Sequence, residues 1–143
     1  MDKVVFFDTE VSLDGKGILD IGAVSEDGNI LFHSNCIGEF GKQIENVEFL
    51  CGHNIVHHDM KYLEKMLGRT LNCSYIDTLY LSPLLFPKKP YHKLLKDDKL
   101  DTDELNNPVN DSKKAKELFD DEVQAFNNLP NNIKTIYYSK YSY

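Results

Sequence analysis

The stretch Val4 to Glu10, VVFFDTE, constrains this chain more than any other. Its β-branched and aromatic run predicts a buried strand, yet the run leads into two carboxylates two residues apart. Successive strand side chains point to opposite sides, so Asp8 and Glu10 share a face and are placed to chelate together. Carboxylates crowded at the edge of a core repel one another and lose hydration, a cost that divalent cations offset. The chain must therefore place a sheet strand beside an acidic recess. Two further acids stand in comparable settings: Asp59 in GHNIVHHD and Asp111 in NNPVNDSKKAKELF.

Around that strand the pattern predicts an α/β domain. Residues 3 to 8, 17 to 25 and 29 to 34 are strand-like, and the turn signals LDGKG and EDGN between them make an antiparallel meander. Phe40, Ile44 and Val47 then fall on one helical face. A short strand over residues 48 to 52 delivers His53 and Asn54. A helix over residues 56 to 67, with Met60, Leu63, Met66 and Leu67 inward, stops at Gly68. Residues 75 to 77 form a last extended piece, and the prolines of LYLSPLLFPKKP break the next stretch into turns or a short helix. Asp111 or Ser112 caps a final helix whose apolar face is Ala115, Leu118, Phe119, Val123 and Phe126. The expected fold is a mixed five-stranded sheet with helices on both faces.

At 143 residues and 41% hydrophobic, the chain has material for one core. Its apolar runs are strand-sized, which excludes a membrane-spanning helix, and MDKVVFFD has no secretory pattern. Three cysteines without CxxC spacing argue against a disulfide framework or zinc site, and a cytoplasmic setting fits. A net charge of −7 speaks against a duplex-coating protein. Positive charge is nonetheless concentrated on either side of Asp111, in Lys88, Lys89, Lys93, Lys96 and Lys99, and again in Lys113, Lys114 and Lys116, where a phosphate backbone would lie.

The motifs VVFFDTE, FLCGHNIVHHDMKYL, YIDTLYLS and NDSKKAKELF, in that order, resemble those of the DEDD (DnaQ-like) superfamily of 3′–5′ exonucleases over about residues 3 to 126. The resemblance implies a ribonuclease H-like fold, with Asp8, Glu10, Asp59 and Asp111 as catalytic residues and ligands of two Mg²⁺ or Mn²⁺ ions. It also implies cleavage of single-stranded 3′ ends, DNA foremost, to nucleoside 5′-monophosphates. Thr9, Asn54, His92 and Asn106 are the candidate substrate contacts, with the Thr9 amide near the 3′ end, while Asp20 and Asp77 take structural roles. The stretch from PYHKLLKDDKL to NNPVNDSKKAKELF is also similar to the exonuclease-like module at the front of some bacterial RecQ-like helicases. That likeness makes residues 1–128 the exonuclease-like domain and residues 129–143 a segment leading to a downstream helicase domain.

One position departs from the family. Its histidine branch carries the general base five residues before the last Asp, and its tyrosine branch four residues before; here those positions are Asn106 and Asn107. Neither amide takes a proton from water near neutral pH. His57, His58 and His92 are substitutes by residue type. A zinc site from His57 and His58 is disfavoured, because adjacent helical residues diverge by about 100°. The alternative function is a catalytically weak or inactive module of the same fold that binds DNA ends or a partner protein.

Overall fold

The computed structural model describes residues 3–94 and 107–141. Strands β1 (Val4–Val11), β2 (Ile18–Val24) and β3 (Ile30–Ser34) form the antiparallel meander. Helix α1 (Ile37–Gln43) crosses to β4 (Phe49–Gly52), which lies parallel to β1, and α2 (Asp59–Leu67) crosses to β5 (Ser74–Asp77), parallel to β4. The result is a mixed five-stranded sheet in the order β3-β2-β1-β4-β5, with β1 at its centre. Helices α3 (Thr78–Leu85), α4 (Pro108–Asn127) and α5 (Asn131–Tyr141) complete the chain.

The alternation of β1 divides the interior in two. Val5 and Phe7 face the larger core, with Phe40 of α1 and Met60 and Leu63 of α2. Phe6 faces the other side, against Val109 and Phe119 of α4. By the same alternation Asp8 and Glu10 continue the Phe6 face, and Thr9 continues the Val5 and Phe7 face. This parity decides which helix each acidic residue meets.

Several elements depart from the expected boundaries. The first helix ends at Gln43, yet Ile44 and Val47 are buried beyond it. Helix α2 begins at Asp59 rather than Val56, and it stops at Gly68, whose φ of 68° is the left-handed conformation that glycine adopts without strain. Its Met66 is exposed; Met60 and Leu63 carry the buried face. Pro83 sits inside α3, which spends one main-chain hydrogen bond to run through it. The cap of α4 is neither Asp111 nor Ser112 but Asn107, whose side chain accepts from the Val109 amide at 3.0 Å, with Pro108 behind it in the first turn. Residues 131–141 form a helix, tied to α3 by the Tyr137 hydroxyl donating to the Leu84 carbonyl. None of the helices among the described residues is long and apolar enough to cross a membrane.

Helix α4 also turns a different residue inward than its apolar pattern suggests. Val123 is exposed, while Glu122 is 1% exposed, and neither of its carboxylate oxygens has a hydrogen-bond partner. Burial, reinforced by the charges of Asp77 and Asp121, pushes its pKa up to about 8 from an ordinary 4.5. The folded chain thus holds a proton that the unfolded chain releases near pH 4.5. Stability therefore falls as pH rises from about 4.5 to about 8 and levels off above that. Glu122→Leu should remove this slope and raise stability at neutral pH by about 1 to 3 kcal/mol, the cost of an unsatisfied buried polar group. Urea unfolding across that pH range checks both effects; an unchanged slope would assign it to another group.

Candidate active site

The acids converge at the end of β1. Asp8, Glu10 and Asp111 each offer a carboxylate oxygen, and these oxygens lie within 4.8 Å of one another, close enough that the group could hold a metal ion. Asp111 reaches them from the first turn of α4 and is 8% exposed. Its approach depends on β2. Gly22 is the register partner of Asp8, and the main chain of Pro108 and Val109 lies directly over it. A methyl group at Gly22 would come within 2.7 Å of the Val109 Cα and closer still to neighbouring backbone atoms. The buried Ser112 hydroxyl fastens the contact, 2.8 Å from the Gly22 carbonyl and 2.6 Å from that of Pro108, with one proton shared between them. Nothing in the sequence singles out Gly22; ILDIGAV reads as an ordinary strand, and the close approach exists only once α4 has docked.

Asp59 enters the same cleft by another route. It is the first residue of α2, 2% exposed, where the helix dipole favours a carboxylate. Its Oδ1 accepts from both the Thr9 amide, at 2.9 Å, and the Thr9 hydroxyl. The Thr9 amide is therefore engaged by Asp59 instead of being offered to a 3′ end. Asp59 lines the cleft with the other three acids but stands outside their close group. His58 Nδ1 lies 3.5 Å from its Oδ2, and this neighbour raises the histidine's pKa, with Glu10 adding to the effect.

The cleft, of about 490 Å³, has an apolar wall as well. Val11, Leu79 and Leu94 line it beside the carboxylates, together with Asn54, Lys93, His53 and His58. Such a recess offers hard oxygen ligands next to a surface that a nucleobase or other flat apolar group can cover. Asn54 takes the left-handed backbone, φ 62°, because Asp77 pulls the loop tight: its carboxylate accepts from the amides of Asn54, Val56 and Leu79. Asp77 is thus a structural clamp, as is Asp20, which bonds His33 at 2.8 Å.

The histidines separate. His58 lines the cleft, and so does His53, whose Nδ1 meets the Thr78 hydroxyl and whose pKa burial lowers. His57 instead lies edge-on to Tyr80, so the pair is split before α2 begins. His92 pairs with Ser82 at 2.8 Å and is not part of the cleft wall. Asn107 is committed to capping α4, and Asn106 lies outside the described residues. No protein-family model matches the chain, and no curated protein shows significant sequence similarity to it.

Proposed function

We propose that the chain is a metal-dependent 3′–5′ exonuclease of the DEDD type on a ribonuclease H-like fold. It releases nucleoside 5′-monophosphates from single-stranded ends, DNA foremost. The observation that carries this is the meeting of Asp8, Glu10 and Asp111 within 4.8 Å, with Asp59 in the same cleft, at the end of the central strand of a β3-β2-β1-β4-β5 sheet. An all-carboxylate donor set suits Mg²⁺ or Mn²⁺. Asp8, Glu10 and Asp111 would hold the metal, and Asp59, fixed by Thr9, would complete the acidic wall. When bound, such ions supply charge stabilisation and an acidified water at a phosphodiester.

The chain's own residues do the positioning. Leu79 and Leu94 cover the terminal base, and a concave acidic cleft of about 490 Å³ suits a single-stranded end. With an asparagine at both family base positions, proton removal would rest on the metal or on a displaced histidine, and His53 and His58 are the histidines that line the cleft. By resemblance the chain works in the cytoplasm as the front module of a RecQ-like helicase. The same asparagines favour the second reading, a module that holds DNA ends without cleaving them. A 3′-recessed and a single-stranded oligonucleotide, incubated with Mg²⁺ or Mn²⁺ beside an Asp8→Ala control, separate the two. Stepwise shortening that the control abolishes supports the nuclease; binding without shortening by folded protein supports the holding module.

A further inference from the structure

Beside the acidic cleft, and sharing Lys93 and Leu94 with it, lies a second recess of about 180 Å³ between the segment after α3 and the side of α4. Lys89, Lys93 and Lys114 line it, with Glu117 and Asp121. Among the described residues, three ammonium groups and two carboxylates therefore meet there, on a chain whose formal charge is −7. Of the two lysine runs that flank Asp111 in sequence, Lys96 and Lys99 lie outside the described residues, and Lys89, Lys93 and Lys114 are the described members that line the recess. Lys116 is turned away, paired with Asp120 at 2.7 Å and set over the Phe6 ring. Lys114 follows Asp111 by three residues on α4, on neighbouring helix surface and roughly 4.5 Å farther along the axis.

We infer that Lys89, Lys93 and Lys114 seat an internucleotide phosphate of a single strand whose 3′-terminal nucleotide occupies the acidic cleft. The inference rests on the nucleic-acid reading above and adds the path of the strand. A cleft of carboxylates repels a polyanion, so a strand threading it needs a positive contact just inward of the reacting end. The shared wall at Lys93 puts the recess next to that end, and the half-buried Lys114 stands one helical turn from a metal-ligand candidate. Lysine acts here as a point charge, so the seat attracts the backbone without discriminating among bases.

The test compares the whole chain with a Lys89→Gln, Lys93→Gln, Lys114→Gln variant. Binding of a short fluorescent oligothymidylate is followed by anisotropy in Ca²⁺ over a range of salt. A second variant, Lys42→Gln, Lys65→Gln, Lys134→Gln, removes the same charge at residues that do not line the recess. The recess variant should bind the oligonucleotide about tenfold more weakly at low salt, and its log K against log salt should be shallower by roughly 0.7 for each phosphate it no longer neutralises. Competition by thymidine 5′-monophosphate, which has no inward phosphate, should be unchanged. Replacing linkages one at a time by neutral methylphosphonates should weaken binding at one position in the unmodified chain and cost nothing there in the recess variant. Equal affinity and slope in the recess variant, an equal loss in the charge-matched control, or no oligonucleotide binding by the unmodified chain would each overturn the inference. Failure of the nuclease proposal is a different outcome: no metal-dependent shortening, while the lysine dependence of binding stands.

Discussion

On the proposed exonuclease reading, Asp8→Asn should lower metal-dependent shortening of a 3′-labelled strand about a thousandfold, and the metal-free protein should melt at a higher temperature than the unchanged chain. The first effect would follow from losing one ligand charge where the proposed reaction develops charge. Metal stabilisation of a phosphoryl transition state amounts to several kcal/mol, and about 4 kcal/mol is a thousandfold in rate. The second follows from the same geometry. Three carboxylates with oxygens within 4.8 Å repel one another, by about 1 to 3 kcal/mol per pair between the limits of water and a protein surface, discounted because Asp8 and Glu10 are half-exposed. Removing one charge relieves that repulsion, and the stabilisation that the proposed binding of Mg²⁺ or Mn²⁺ would supply should shrink with it. Single-turnover cleavage and thermal melting with and without metal check the pair of effects. A variant that melts lower without metal and cleaves at an undiminished rate would take Asp8 out of the site.

How far the sequence discloses the site depends on whether each residue's position is set locally. Asp8 and Glu10 share a face because of strand parity alone, so their pairing is readable in VVFFDTE. That Asp111 joins them, and that Asp59 is drawn instead to Thr9, depends on which helix covers which face of β1, and no local pattern records it. The cap of α4 shows the same limit at smaller scale. Asn107, Asp111 and Ser112 are all good capping residues, but Pro108 at the first helical position selects Asn107 and leaves Asp111 inside the first turn, facing the cluster. Apolar spacing places the face of α4 at Val123, whereas tertiary packing turns Glu122 inward, against its intrinsic preference. His57 and His58 read as a helical pair; the later start of α2 sends one to Tyr80 and the other to the cleft.

Gly22→Ala should cost about 3 kcal/mol or more and disable the site beyond what that loss explains. Overpacking a well-filled interior costs about 1 to 3 kcal/mol when side chains can yield, and more when they cannot. The new methyl group would meet the main chain of Pro108 and Val109, which cannot rotate aside, so α4 itself must lift from β2. Lifting α4 carries Asp111 away from Asp8 and Glu10 and parts the Ser112 hydroxyl from the Gly22 carbonyl. Against a total stability of about 5 to 15 kcal/mol the domain can still fold, with its acids held apart. Gly38→Ala supplies the contrast. Gly38 lies in α1 with nothing within 4 Å of a methyl group there, so alanine should stabilise by about 0.5 to 1 kcal/mol through lower chain entropy. Urea unfolding gives the two energies, and a Mn²⁺ titration followed by thermal shift, under conditions where both variants are folded, gives the metal response. A Gly22→Ala protein that keeps the full metal response would show that the cluster does not depend on α4 being pressed against β2. A lost response with most of the fold intact would make Gly22 the residue through which sheet packing sets the spacing of the carboxylates.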